Sequence, residues 1–468
     1  MQTFSPGVQS LSVSSLPEPP GYLAEAARFF SASTGCEFPE ALAVVLSILA
    51  GTVGPIWRIE GPRGASYSAA LNTWVCAAPG QDISIPVTNL RAPLDQVFGR
   101  CIDKRIAIGE KSLAVHSKRT HELLREITTK LEDLHEPDSK YGSRYMAYVE
   151  RINELNESKA ETARDLAESA FLLRPWILSG SVEDLDDVPD YASDHGLFLD
   201  VRDAERNWQL LLRNEKRARI LVEGFFGNAI SLSAKCHFRP CISNLWTAPA
   251  FFQTLLDVPA LQTFLVAEMS GNNHALAPEE LQEWRYVIDV VFNARMQRER
   301  ITASLTPEVT RVFVEREHAW QSEIRALPPT LFAAHTHVPV QALKIALHFA
   351  QVEAMETEKA IDTVSDHWLS AGFDYAEHLA RKAAARFASP MSAGIDITHL
   401  VNRLLEKGPT SKRALVRSYH KTSVSEVNVW LKEGMKRGLL EVEGNLVRLT
   451  KPDVSVSAPQ RSESVTAL

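Results

Sequence analysis

Apolar positions along the chain fall mostly at helical spacing, interrupted by short, nearly continuous apolar runs of strand type. In GYLAEAARFFSASTG, residues Leu23, Ala26, Ala27 and Phe30 share one face and Gly35 closes the run, which predicts a first helix. PEALAVVLSILAGTVG puts Pro39 in a first turn and stays apolar to Ala50. That pattern predicts a helix buried on most sides, with Gly51 and Gly54 as terminators. LNTWVCAA at 71–78 is β-type and runs into Pro79-Gly80, as a central strand does where it meets a loop, and a helix is expected to start near Asn89. From about 104 to 170 the character changes. Leu124, Ile127, Leu131 and Leu134 repeat at helical spacing, and after HEPDSKYGSR so do Tyr145, Tyr148, Ile152 and Leu155. Dense charge covers the other faces, so a helical hairpin with solvated outer faces is expected.

Short β-type runs follow at 176–180, 196–201, 219–223, 230–234 and 241–247, alternating with helical or turn-like stretches. This alternation argues for an α/β sheet. From 249 onward helical periodicity dominates, through PAFFQTLLDVPALQTFLV, EELQEWRYVIDVVFNARMQRER, TPEVTRVFVEREHAWQSEIRAL, VPVQALKIALHFAQVEA and DHWLSAGFDYAEHLARKAAARFA. The expected organisation is a loose stretch at 1–20, an α/β domain at 21–330 carrying the hairpin, and a helical region at 331–390. A compact unit at 395–451 and a Ser/Val/Pro tail at 452–468, expected to be disordered, complete it.

Composition narrows the class. At 468 residues, 45% hydrophobic and 23% charged, the chain has length for about three domains and enough apolar content for real cores. No apolar run approaches the roughly 18 residues of a membrane span, and the opening residues lack a basic segment followed by an apolar core. No membrane partner and a cytoplasmic location are expected. Five cysteines, an odd number and widely scattered, read as reduced, buried thiols rather than a disulfide framework. The net charge of −8 is unevenly spread: residues 395–451 hold 11 Lys and Arg against 6 Asp and Glu, leaving the rest of the chain acidic.

That basic segment carries the clearest functional pattern. DITHLVNRLLEKG reads as a helix capped near Asp396 and stopped by Gly408-Pro409, and TSKRALVRSYH as a second, capped by Thr410 or Ser411. SVSEVNVWLKEGMKRG is a third, with Ser423 and Glu426 as a capping box, and LLEVEGNLVRLTK is a hairpin around Glu443-Gly444-Asn445. Three helices and a two-stranded ribbon resemble a winged helix-turn-helix. In that arrangement Val424, Val427, Leu431 and Met435 pack inward, while Ser425, Glu426, Asn428, Lys432, His420, Lys421 and Thr422 face outward to read base edges. Lys412, Arg413, Arg417, Lys436, Arg437, Arg448 and Lys451 are placed to neutralise phosphates. Winged helices also dock proteins, and Glu426 would repel phosphate unless it accepts from a cytosine amino group. Duplex DNA and a protein partner both remain candidates for this unit.

The block from Pro39 to Gln96, with LNTWVCAAPG at its centre, resembles an uncharacterised family of RecA-like P-loop ATPases of phages, plasmids and genomic islands, often encoded beside primases. WILSGSVEDL, GLFLDVRDAERNWQLLL, NLWTAPAFFQTLLD, ALKIALHFA and the terminal winged helix follow in the family's order. The resemblance implies an α/β RecA-like P-loop core with a helical hairpin insertion, a helical region and a C-terminal winged helix. It also implies a phosphate-cradling Walker A loop after the first strand, whose Lys clamps phosphates and whose Ser or Thr holds Mg²⁺. The matching window is Ala78-Pro79-Gly80-Gln81-Asp82-Ile83-Ser84-Ile85: it has no second Gly and no Lys, and Asp82 adds negative charge where polyphosphate would sit. Ile83 and Ile85 are β-branched where a positive φ is wanted. For the strand-end acid the resemblance offers Asp200, Asp203 or Glu223, none followed by a second Glu.

Two readings result. In the first, a non-catalytic pseudo-ATPase of a mobile element or defence system acts by binding DNA through the winged helix and proteins through its acidic body, with no cofactor. In the second, an NTP-dependent DNA motor or primase accessory binds ATP and Mg²⁺ weakly and completes its site at an oligomer interface. Cys236, His237 and Cys241, with Cys101 or Cys76, lack zinc-site spacing, and no second CxxC exists. His335 and His337 alternate as on an extended loop and read as satisfied or solvent-facing. Phe225, Phe226, Trp246, Phe251 and Phe252 read as core rather than a base-stacking platform.

Overall fold

The computed structural model describes residues 16–77, 84–137, 140–173, 178–186, 196–202, 207, 210–211, 214–228, 230–233, 236–238, 241–249, 263–269, 281–297, 300–325, 335–359, 362–388, 400, 403–404, 407–419, 427–428, 430–432, 435 and 440–449. The chain is α/β with parallel sheets and divides into two units, Met1–Ala384 and Ala385–Leu468. The terminal stretches at 1–15 and 451–468 lie outside the described residues.

The first unit opens with α1 (Gly21–Thr34), closed by Gly35 at φ 65° as its spacing foretells, and α2 (Phe38–Val53). Gly51, read from sequence as a terminator, instead lies inside α2, and Gly54 ends it. The reason is packing: a Cβ at Gly51 would lie 2.4 Å from the Phe198 ring, so the glycine lets the helix approach the sheet. Strands β1 (Trp57–Glu60) and β2 (Ser66–Ser68) lead to β3 (Asn72–Ala77), the expected central strand. The next helix, α3 (Ser84–Ile108), begins five residues before the expected Asn89. Pro86 lies in its first turn, where a missing N–H costs nothing, rather than ahead of the helix.

The charged hairpin is present as α4 (Glu110–Glu132) and α5 (Ser143–Leu173). Its antiparallel pairing is marked by His116 of α4 facing Asp165 of α5 at 3.9 Å, and Lys104 of α3 meets Glu168 of α5. Leu113, Thr120 and Ile127 of α4 and Leu155 and Thr162 of α5 are buried along the seam, while the outer charges are exposed, as the spacing predicts.

Strands β4 (Leu178–Ser179) and β5 (Leu197–Val201) follow, then α6 (Glu215–Phe226). The sequence reading of 219–223 as a β-type run, and of Glu223 as a strand-end acid, is therefore wrong. Asn214 caps α6 by accepting from the Arg217 N–H at 3.3 Å, Ile220, Leu221, Gly224 and Phe225 form its buried face, and Gly227 closes it at φ 71°. These helical signals outweigh the β propensity of a three-residue apolar run. A hairpin, β6 (Ile230–Ser233) with β7 (Cys236–Phe238), precedes β8 (Ile242–Pro249) and β9 (Phe264–Met269). Helices α7 (Gln282–Met296), α8 (Pro307–Ile324), α9 (Val338–Thr357) and α10 (Asp366–Ala388) complete the unit with strands β10 (Ile301–Leu305) and β11 (Thr363–Val364). The helix-dominated reading beyond 249 overlooked β9, β10 and β11. Short apolar runs carry no period of their own, and pairing decides them.

The principal sheet has the order β4-β5-β8-β3-β9, and all its pairings are parallel. Helix α2 covers one face, where Thr73 Oγ1 donates to the Ala43 carbonyl at 3.0 Å and Ser47 Oγ to Thr73 Oγ1 at 2.6 Å. On the other face Trp74, Trp246 and Phe264 form an aromatic triad with centroids 5.4–5.9 Å apart, beside an amide ladder in which Asn244 Nδ2 donates to Asn72 Oδ1 at 2.7 Å. A second sheet runs β11-β10-β1-β2.

Helix α9 is buried nearly all round up to Val352, and three of its polar residues face backbone carbonyls. Gln341 Nε2 donates to the Thr263 carbonyl at 3.0 Å, Lys344 Nζ to those of Ala70 (2.8 Å) and Phe225, and His348 Nε2 meets that of Ala69 at 2.9 Å. Thr263, Ala69 and Ala70 precede β9 and β3, so α9 satisfies the amino-terminal end of the sheet. Burial pushes the Lys344 ammonium well below the usual lysine range, and its Nζ lies 3.4 Å from the centroid of the Phe225 ring. The expected helical region at 331–390 is not a body of its own, because α9 and α10 share the core of α1 and α2 through Leu343, Phe349, Phe373 and Leu379. Gly372 allows that sharing, since a Cβ there would lie 2.3 Å from the Ala342 carbonyl oxygen.

The second unit contains α11 (Lys412–Ser418), capped by Ser411, whose Oγ accepts from the Ala414 N–H at 3.2 Å. Strands β12 (Thr410–Ser411), β13 (Leu440–Glu443) and β14 (Leu446–Leu449) form a three-stranded antiparallel sheet. Its hairpin turns at Gly444-Asn445, with Gly444 at φ 61°, and β12 is an addition to the expected ribbon. Leu400, Leu404, Leu415, Val427, Leu431, Leu440 and Val447 make a separate core. Met435, expected inside, is 42% exposed.

Candidate functional site

The carboxyl end of the principal sheet is where loops after parallel strands converge, and it is where an α/β sheet holds ligands. Strand β3 ends there at Ala77 and α3 starts at Ser84, while β5 ends at Val201. Residues Ala78–Ile83, hence Pro79, Gly80, Gln81, Asp82 and Ile83 of the expected loop, lie outside the described residues, as does Asp203. Ser84 is the first residue of α3, and Ile85 behind it is 60% exposed. These two are the last residues of the window that the sequence resemblance matched to a Walker A loop.

Of the acids named from sequence, Asp200 sits at this edge. Glu223 is at the carboxyl end of α6, accepting from Asn228 Nδ2 at 2.9 Å. The Asp200 side chain is 1% exposed. Its Oδ2 accepts from Arg91 Nη1 of α3 and from Arg202 Nε (3.4 Å) and Nη2 (3.1 Å), while its Oδ1 is buried with no hydrogen-bond partner among the described residues. Arg91 Nε also donates to Asp95 Oδ2 at 3.0 Å, and Arg202 Nη1 to the Ser84 carbonyl at 3.3 Å. The cluster balances two carboxylates against two guanidinium groups, and Asp200 presents no free charge to a cation. Sequence reasoning missed both arginines. The one legible signal was Arg91 at the i, i+4 spacing from Asp95, on a helix whose other face is apolar.

The remaining candidate groups are structural. Cys76, Cys101 and Cys241 are buried, and Cys241 Sγ donates to the Gly54 carbonyl at 3.0 Å. Burial pushes the Cys101 thiol up to about 11. Among the described residues no three His, Cys, Asp or Glu side chains converge as a metal ion requires. His335 is buried with its ring against Trp320, at 6.2 Å between centroids, and His337 lies against Phe226 at 5.2 Å. Burial, then the Lys344 charge, lowers the pKa of His337. Phe225 and Trp246 are core residues, whereas Phe251 and Phe252 lie outside the described residues.

In the second unit Arg413 and Arg417 are exposed one turn apart on α11, Lys412 is half-buried, and Asn428 and Lys432 are exposed. Arg448 is engaged by Glu441 at 3.0 Å and Glu443 at 3.3 Å, so the hairpin offers a compensated rather than a free cation. His420, Lys421, Thr422, Ser425, Glu426, Lys436, Arg437 and Lys451 lie outside the described residues. No single described helix is long and apolar enough to cross a membrane. No known protein-family profile matches the chain, and no curated protein matches it.

Proposed function

We propose that the chain is a non-catalytic member of the RecA-like P-loop ATPases of mobile elements, acting by binding, with a winged helix as its DNA-contacting unit. The observation that carries this reading is the fate of Asp200. It occupies the strand-end position a metal-binding acid would need, and it is consumed by Arg91 and Arg202. Counted along the chain, the strands of the principal sheet run 2-3-4-1-5, an all-parallel order that supports the RecA-like reading, with the loop strand between the fourth and fifth and Asp200 one residue before the end of the third. The window at 78–85 contains neither Lys nor a second Gly, so the residues that clamp phosphate are missing on the loop side of the site.

Purified full-length chain is expected to show no Mg²⁺-dependent ATP turnover and no saturable micromolar binding of a labelled ATP analogue. Turnover that disappears in Asp200→Asn would refute the proposal and favour a working NTPase.

For the second unit, the strand ahead of α11, the separate core and the turn at Gly444-Asn445 support a winged helix, and exposed Arg413 and Arg417 support phosphate contact. Charge reversal at Lys412 and Arg413 is expected to weaken duplex DNA binding. It should also flatten the log–log salt dependence by about 2, at about 0.9 for each phosphate that is no longer neutralised, in fluorescence anisotropy across a salt series. Unchanged affinity would assign this unit to protein docking.

A further inference from the structure

We propose that Arg91, Asp200 and Arg202 form an intramolecular latch that fixes the start of α3 to the end of β5 without any ligand. The inference rests on the RecA-like reading above. In such a core, a nucleotide and its cation would lie between the helix after the loop and the strand-end acid.

Three observations carry the latch. First, it grips α3 at two places: Arg91 bonds Asp200 directly, and Arg202 spans from Asp200 Oδ2 to the Ser84 carbonyl, the first residue of the helix. Second, the Arg91 guanidinium is held in orientation by Asp95 one turn along the same helix, so the contact is preorganised on the helix side. Third, Asp200 leaves Oδ1 buried and without a partner among the described residues while both arginines share Oδ2. A buried ion pair is a weak source of net stability, and an incompletely satisfied one weaker still, so its physical effect is to set position. Two guanidinium groups thus replace the positive charge that a divalent cation would bring, and the helix is held to the sheet constitutively.

The test is amide hydrogen exchange on the full-length chain without nucleotide, followed in peptides from 84–108. Arg91→Gln is expected to speed exchange there roughly tenfold or more, with peptides of the second unit unchanged, and Arg91→Lys to restore part of the protection. If Arg91→Gln does not fold, the pair Arg91→Gln with Asp200→Asn, which removes the buried charge together with its partner, gives the same readout. Wild-type exchange rates in 84–108 in the folded variants would overturn the latch. Calorimetric titration of wild-type protein with MgATP reports separately on the non-catalytic reading. Heat of binding there would overturn that reading, whereas the latch stands or falls on the nucleotide-free exchange of the variants.

Discussion

Replacing Arg295 with methionine is expected to destabilise the first unit by about 3–5 kcal/mol. Arg295 lies on α7, is 2% exposed, and donates from Nη1 to the carbonyls of Gly51 (2.7 Å) and Thr52 (2.9 Å) and from Nη2 to that of Gly196 (3.0 Å). Two of these acceptors are among the last carbonyls of α2, which have no partner within the helix. The third leads into β5, so one cation joins the buried helix to the strand carrying Asp200. Methionine keeps most of the stem and leaves three buried carbonyls without donors, at about 1–3 kcal/mol each before relaxation and water recover part of it. Gly54 shows how closely the neighbourhood is fitted: its φ is 57°, and a Cβ there would lie 2.6 Å from Arg295 Cζ. Burial lowers the Arg295 pKa to about 10, so the group stays charged at neutral pH. Arg295→Lys, with one charged nitrogen, cannot span all three acceptors and is expected to recover only part of the loss. Urea unfolding of both variants checks this, and a loss below about 1 kcal/mol in Arg295→Met would refute it.

Acidification from pH 6.5 to 4 is expected to cost the first unit about 3 kcal/mol through His348 alone. The ring is fully buried beside Trp57, with centroids 5.7 Å apart, and Nε2 donates to the Ala69 carbonyl. Burial is the largest cause of a pKa pushed down to about 4, and the Lys344 charge one turn away adds to it, against the Ala69 hydrogen bond. The unfolded chain titrates its histidine near 6.5, so between 6.5 and 4 the unfolded state binds the proton and the native state does not. Stability is therefore complete above pH 6.5 and is lost as pH falls towards 4. His337 and His378, both lowered by burial, act in the same direction. Glu25 acts in the opposite direction. Burial and the neighbouring Glu283 raise it to about 7, so its contribution is present at low pH and fades as pH rises from 4.5 to 7. Comparison of wild type with His348→Gln isolates the histidine: the variant should lose stability over this range more shallowly by about 3 kcal/mol, and parallel pH profiles would show that His348 does not set the slope.

Local chemistry made much of the architecture readable in advance. Helices α1, α2, α9 and α10 follow from apolar spacing, the αL glycine at Gly35 and prolines in first turns, all of which act within a few residues. The charged hairpin is equally legible, because Leu124, Ile127 and Leu131 must share one seam whatever else the chain does. So are two local features of the second unit, the Ser411 cap and the Gly444-Asn445 turn, which are fixed by their own neighbours. The candidate site was half legible: Asp200 directly follows the apolar run Leu197–Leu199, and the missing Lys is a plain fact of residues 78–85.

What needed the folded chain was each decision taken across long separations. Residues 219–223 became helix and 264–269 became strand because Phe225 and the β3 partners of Phe264–Met269 offered burial that short apolar runs cannot specify alone. Helices α9 and α10 joined the first core because Gly372 lets their backbones approach. Arg91 could not be read as the partner of Asp200, since 109 residues separate them and only the parallel register of β5, β8 and β3 brings α3 over that strand end. Periodicity, caps and turns are settled within a few residues and can be read directly from the order of side chains. Desolvation and charge pairing depend on which surfaces exclude water, and that is decided only once the sheet has closed.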